Sequence, residues 1–124
     1  MKIESYEDLT VYQKAYQLTL DVYKVTKEFP TAEMYGLISQ MRRSASSIPA
    51  NIAEGYRRAH RKEYVQFLHI ALGPCAELET FLCLSKDLGY LSGEAFDQSY
   101  KSQDSVSKLL RGLPSSLSHR ENPI

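Results

Sequence analysis

The stretch from Gln40 to Gly55, QMRRSASSIPANIAEG, decides how this chain folds. In it and just ahead of it, Ile38, Met41, Ala45, Ile48, Ile52 and Gly55 recur at alternating steps of three and four, which lines one side of an α-helix with apolar or small groups. That side is predicted to be core. Ser46, Ala50 and Ala53 make a second stripe roughly 100° around the same helix, and side chains so small let another helix backbone come close. Arg43, Ser47, Glu54, Arg58 and Arg61 share a third, polar side if the helix runs straight, with Glu54 and Arg58 spaced to form an i,i+4 pair.

Pro49 interrupts this pattern chemically. It lacks the N–H that would bond the Ala45 carbonyl, and its ring crowds that carbonyl, at a cost of about 3 kcal/mol. The apolar phase runs through Pro49 without a slip, so two arrangements stay open: one kinked helix, or two helices meeting near Ser47. The Ser46 and Ser47 hydroxyls are the expected substitutes for the freed backbone group.

Working outward, 124 residues with 43% hydrophobic content suit one domain around a single core. Nine tyrosines and no tryptophan imply a core with a wet rim, since a buried phenol wants a partner for its hydroxyl. The net charge of zero argues against a general polyanion binder. Its distribution is uneven, however. Between Gln40 and Lys62, the cations Arg42, Arg43, Arg57, Arg58, Arg61 and Lys62 face only Glu54, a local charge of +5 balanced by −5 elsewhere. Such a cluster serves an anionic partner, or is simply a solvated helix face.

Cys75 and Cys83 lie on one predicted helix with about 12 Å of rise between them, too far to pair, and two unpaired thiols fit a reducing cytoplasm. No apolar run approaches the roughly 18 residues of a membrane span and no charged-then-apolar leader opens the chain, so the expected location is cytoplasmic, with no membrane partner.

The flanking segments repeat the helical period. Ser5 and Asp8 resemble a capping box opening helix one, whose apolar face is Val11, Ala15, Leu18, Val22, Val25 and Phe29 and which stops at Phe29-Pro30. Thr31 to Tyr35 reads as a short turn, and helix two runs from near Gly36 to about Arg58. Helix three carries Tyr64, Leu68, Ala71, Cys75, Leu78, Leu82 and Ser85, with Gly73-Pro74 predicted to bend or weaken it and Leu88-Gly89 to cap it. Helix four starts from an N-cap at Ser92, carries Phe96, Tyr100, Gln103, Val106, Leu110 and Leu113, and is expected to end at Gly112 and Pro114. Helices of about 20 residues on loops of about two to six predict an all-α fold: an antiparallel up-down-up-down four-helix bundle over residues 1–113, with a flexible tail at 114–124.

The chemistry of catalysis is thin. A di-iron bundle needs Glu-x-x-His pairs; here His60 precedes Glu63 in reversed order, and His69 and His119 have no carboxylate three residues before them. Neither a metal nor another cofactor is expected. Ser44, Ser46 and Ser47 sit in no nucleophile motif, and no phosphate-cradling glycine loop occurs. The arginine-to-histidine spacing of all-helical ribonucleases is missed as well, with seven residues between Arg61 and His69 and two between Arg57 and His60. The chain is therefore expected not to be an enzyme. Binding remains. The six cations can neutralise phosphates, with affinity falling steeply as salt rises. Alternatively, Arg43 and Glu54 meet across a subunit boundary, being about 16 Å apart along one helix and too distant to pair within a chain.

Taken together, these residues carry a resemblance. Asp8-Leu9, Ala15-Tyr16, Phe29-Pro30 before Glu33, Tyr35-Gly36-Leu37, Gln40-Met41-Arg42-Arg43 and Ser47-Ile48-Pro49 match one family. So do Asn51-Ile52-Ala53-Glu54-Gly55, Glu63, Phe67-Leu68, Ile70-Ala71, Glu77-Leu78-Glu79 and Leu88-Gly89-Tyr90. To about Leu113 the sequence resembles the small bacterial four-helix-bundle proteins encoded by intervening sequences within 23S ribosomal RNA genes. It departs at Ser44, where alanine is usual, and at Pro74, where serine is usual. The resemblance implies a non-enzymatic homo-oligomer assembled as a ring, commonly a pentamer. It also implies kinship with the accessory proteins of diversity-generating retroelements, which bind nucleic acid and a reverse transcriptase. The expected partners are thus further copies of the chain, RNA or another nucleic acid, or a protein. Arg42, Arg43, Arg57, Arg58, Arg61 and Lys62 are the candidate nucleic-acid contacts, and Arg43, Ser46, Ala50, Ala53 and Glu54 the candidate oligomer interface.

Overall fold

A computed structural model describes residues 4–58 and 60–117. Five helical segments, α1 (Thr10–Thr26), α2 (Leu37–Tyr56), α3 (Arg61–Ile70), α4 (Leu72–Asp87) and α5 (Gly93–Leu117), account for the regular structure, with no strand among the described residues. α1 lies against α2 and α5 and does not meet α3 or α4; α2 lies against α1, α3 and α4 and does not meet α5. α3 and α4 therefore act as one bent rod, and the four rods form a square in which chain neighbours are spatial neighbours. With chain neighbours side by side in this way, the arrangement fits an up-down-up-down bundle.

The core is the set of faces marked out by the sequence period. Ala15, Leu18 and Val22 from α1, Met41, Ala45, Ile48 and Ile52 from α2, Leu68 from α3, Leu78 and Leu82 from α4 and Leu110 from α5 are all buried. The rod Arg61–Asp87, 27 residues, is long and apolar enough by length and composition to cross a membrane, contrary to the expectation that no such run exists. Its Leu68, Ala71, Cys75, Leu78 and Leu82 stripe is directed into the bundle, while 28% of its most apolar window is buried.

α2 is continuous through Pro49, which is itself buried. The carbonyl of Ala45, deprived of the proline N–H, accepts a hydrogen bond from the Thr19 hydroxyl of α1 at 3.0 Å. This replaces the expected rescue by serines on α2. The Ser46 hydroxyl donates to the Arg43 carbonyl at 3.2 Å, on the outer side of the helix and away from the gap.

Three boundaries differ from expectation, and a fourth, the bend of the third rod beside Gly73-Pro74, falls as foreseen. The capping box closes a 3-10 turn, Tyr6–Asp8, with the Ser5 N–H donating to Asp8 Oδ2 at 3.2 Å and the Glu7 N–H to Ser5 Oγ at 3.2 Å. Leu9 is then extended, because its side chain drops into the core, and α1 begins only at Thr10. The first connection is longer than foreseen, residues 27–36, because it closes the end of the bundle: Phe29 is buried there 5.4 Å from the Tyr90 ring, and the Tyr90 hydroxyl donates to Glu33 Oε2 at 3.0 Å. The third rod breaks at Ala71, where Pro74 offers no N–H to Ile70 and the Cys75 N–H reaches Ala71 at a stretched 3.4 Å. α5 runs past Gly112 and Pro114 to Leu117, the proline removing the one intrahelical bond to Leu110 without ending the helix. The rest of the expected tail lies outside the described residues.

Two junctions follow the sequence closely. Gly89 adopts φ +83°, and the N–H groups of Gly89 and Tyr90 donate to Lys86 and Ser85 at 3.0 and 2.9 Å, a Schellman closure of α4. Ser92 caps α5, its hydroxyl oxygen accepting from the Ala95 N–H at 3.1 Å.

Candidate nucleic-acid interface

The functional corner is built by a glycine. Gly55 is buried near the end of α2, and a Cβ added there would stand 2.5 Å from Phe67 Cβ on α3. The missing side chain lets α3 fold back tightly on α2, with Phe67 directly beneath the α2 terminus. Arg58 exploits that placement: its guanidinium sits 5.0 Å above the Phe67 ring and Nη2 donates to Glu54 Oε2 at 2.9 Å, forming the i,i+4 pair anticipated from the sequence. Both side chains are about half exposed, so this pair contributes little net stability. What it does is hold Arg58 in one orientation.

Arg57 is positioned from the other side. Its guanidinium lies 5.2 Å above the ring of Tyr6, which is fixed by the capping box and by an edge contact with Tyr12 at 4.9 Å. Tyr6, Ala53, Glu54, Arg57 and Arg58 line a shallow depression open to solvent. α3 starts two to three residues further on with no side-chain cap from His60, and Arg61 and Lys62 occupy its first turn. Four cations thus gather at one corner of the bundle.

The other two stand apart. Arg42 and Arg43 are about 21 Å from Arg57 along α2. Arg42 is half-buried and turned to α1, where Nε donates to the Thr26 hydroxyl at 3.0 Å, Nη2 donates to the Tyr23 carbonyl at 3.4 Å and the guanidinium rests 4.6 Å above the Tyr23 ring. It holds α1 against α2. Arg43 is exposed. The candidate interface is likewise open: Arg43, Ser46, Ala50 and Glu54 are exposed and Ala53 is half-buried, so the chain's own core leaves this face uncovered. Beside it, α1 presents Tyr16, Leu20 and Tyr23, each more than 40% exposed.

Tyr6 and Phe67 are the residues that sequence reasoning missed. Phe67 lies beside the apolar stripe of helix three and Tyr6 falls ahead of any helical period, so neither announces itself in the sequence as a platform for an arginine. The remaining candidates do not converge. His60 and His69 are exposed, His119 lies outside the described residues, and among the described residues no group of three or more His, Cys, Asp or Glu side chains is placed to hold a metal ion. Ser44 donates to the Gln40 carbonyl at 2.8 Å, the bond of a helix-packing serine. Cys75 is buried, which pushes its thiol pKa up, while Cys83 is exposed. Inside the bundle the Tyr64 hydroxyl is buried without a partner, and burial, with Tyr56 beside it, pushes its pKa up to about 12.

Fold and corner define a small four-helix-bundle protein with a cluster of arginines seated on aromatic rings. The chain belongs to the 23S rRNA-intervening sequence protein family, whose profile matches residues 7–112. Among solved structures it is similar to a protein of unknown function from the S23 ribosomal protein family of Bacteroides thetaiotaomicron VPI-5482. The two share 25% identity and a TM-score of 0.76, over 85% of this chain and 98% of that one. No curated protein matches the chain.

Proposed function

We propose that this protein is a non-enzymatic, cytoplasmic homo-oligomer, a ring of five as the family resemblance implies, that binds structured RNA through the corner formed by Arg57, Arg58, Arg61 and Lys62. The observation that carries the reading is the seating of Arg57 and Arg58 on Tyr6 and Phe67, which orients two exposed cations outward from one rigid corner. Cations already ordered by packing lose less freedom on meeting a phosphate than cations on free stems. Arg43 serves the assembly, and Arg42 serves the fold. A filter-binding titration with RNA over rising salt tests it: affinity falls steeply with salt, and Arg57→Ala with Arg58→Ala flattens the dependence. Absence of binding at low salt, or an unchanged slope in the double variant, removes the reading.

A second reading, an interaction scaffold or accessory subunit of a reverse transcriptase, is favoured by the uncovered face of Arg43, Ser46, Ala50 and Ala53. There the arginines hold the ring together. Arg43→Ala, followed by light scattering and by the RNA titration together, separates the two: in the RNA reading the corner still binds RNA when the ring comes apart, and in the scaffold reading assembly is lost and there is no RNA binding to keep.

A further inference from the structure

We infer that the depression between Tyr6 and the end of α2 receives an unpaired base of single-stranded RNA, stacked on the outer plane of the Arg57 guanidinium, with Arg58 taking the adjoining phosphate. The inference rests on the proposed RNA function and names the part of a structured RNA that the corner holds, an unpaired loop or bulge rather than a stem.

The Arg57 guanidinium sits 5.2 Å from the centre of the Tyr6 ring and the side chain is exposed, so the pair sets a planar cation over an aromatic ring at the rim of the depression. Bases stack on aromatic rings and on guanidinium planes alike, and such stacking is the common device for holding single strands. Ala53 lines the depression with a methyl group only, leaving room for a flat ring beside the helix. Tyr6 is held from beneath by Tyr12 and by the Ser5–Asp8 capping box, so the platform is rigid before any ligand arrives.

Glu54 decides between single strand and duplex. Its carboxylate repels the phosphates of either form alike, but an A-form helix keeps its bases inside and has no base donor to offer it. An unpaired base instead offers amino and ring N–H donors. Glu54 Oε2 is occupied by Arg58, and the second carboxylate oxygen remains as an acceptor for such a donor.

The test uses the full-length protein and a short oligoribonucleotide carrying 2-aminopurine, offered as a single strand and, with the same sequence, closed into a hairpin stem. Wild type should bind the strand about tenfold more tightly than the stem and quench the 2-aminopurine by stacking. Tyr6→Leu, which keeps apolar bulk and removes the ring, should lose most of that preference and the quenching. Arg57→Lys, which keeps the charge but not the plane, should lose the quenching while keeping the salt dependence, and it stands in if Tyr6→Leu does not fold. Equal binding of strand and stem by wild type, or unchanged quenching in both variants, overturns the inference and leaves RNA binding intact. A wild-type protein that binds neither RNA at low salt overturns the functional reading itself, and this inference with it.

Discussion

The Thr19 hydroxyl on α1 donates across the helix seam to the Ala45 carbonyl on α2, the one acceptor that Pro49 leaves without an intrahelical partner. Thr19 also faces the Ala15 carbonyl at 2.9 Å, so one hydroxyl serves its own helix and its neighbour. Thr19→Val keeps the shape and orphans a buried carbonyl, which should lower stability by about 1 to 3 kcal/mol. Pro49→Ala restores an N–H to that carbonyl, so in its background the same valine should cost about 1 kcal/mol less. Urea denaturation of the four variants at one protein concentration measures the difference. An equal loss in both backgrounds would show that Thr19 is not replacing the missing bond.

Two glycines should respond in opposite directions to alanine. At Gly55 the new Cβ would meet Phe67 Cβ at 2.5 Å and Tyr64 Cδ1 at 3.4 Å, so α3 must move off α2. Overpacking of that kind costs about 1 to 3 kcal/mol, more than the roughly 1 kcal/mol that alanine gains as a helix former. Gly73 is exposed with nothing within 4 Å of the same position, so Gly73→Ala should gain up to about 1 kcal/mol. Thermal melts of the two variants check the contrast, and a stabilised Gly55→Ala would contradict the close approach of α3.

The contrast between these glycines also marks how far sequence alone reaches. The core faces, the Leu88-Gly89 closure, the Ser92 cap and the Glu54–Arg58 pair all follow from spacing within a helix, and the period carries that information directly. Thr19 as the partner of Ala45, Tyr6 beneath Arg57 and Phe67 beneath Arg58 depend on how two rods meet, and residues 26, 51 and 9 positions apart share no local signal. Arg42 shows the limit most plainly. Beside Arg43 in sequence it reads as half of a basic pair, yet one step around the helix turns it inward to Thr26 and leaves its neighbour in solvent.

Tyr64 should make the protein sensitive to alkali. Its pKa is raised in the folded state from an ordinary 10.0 to about 12, so between those values the folded form holds a proton that the unfolded form has lost. Stability is therefore full below pH 10 and falls as pH rises toward about 12. Tyr64→Phe removes this titration together with a buried hydroxyl that has no partner, and should raise stability by about 1 to 3 kcal/mol near neutral pH. Denaturation of both proteins across the alkaline range is the measurement. A fall in stability as steep in the phenylalanine variant as in wild type would place the titrating group elsewhere.

Arg42 and Arg57 should separate fold from binding although both are arginines on the same rod. Arg42 donates to the buried Thr26 hydroxyl, which in turn donates to the Val22 carbonyl at 2.7 Å, and it covers the Tyr23 ring. Arg42→Ala should therefore lower stability by about 1 to 2 kcal/mol while leaving the salt dependence of RNA binding unchanged. Arg57 and Arg58 are exposed on aromatic rings at the rim, where truncation strips little from the core. Each single-strand phosphate that a cation no longer neutralises flattens the logarithmic salt slope by about 0.7, so Arg57→Ala with Arg58→Ala should flatten it by about 1.4 at nearly unchanged stability. Denaturation curves and salt titrations on the two variants decide the matter together. If Arg42→Ala flattened the slope as far as the double variant, the division of the cations between α1 packing and the α2–α3 corner would be wrong.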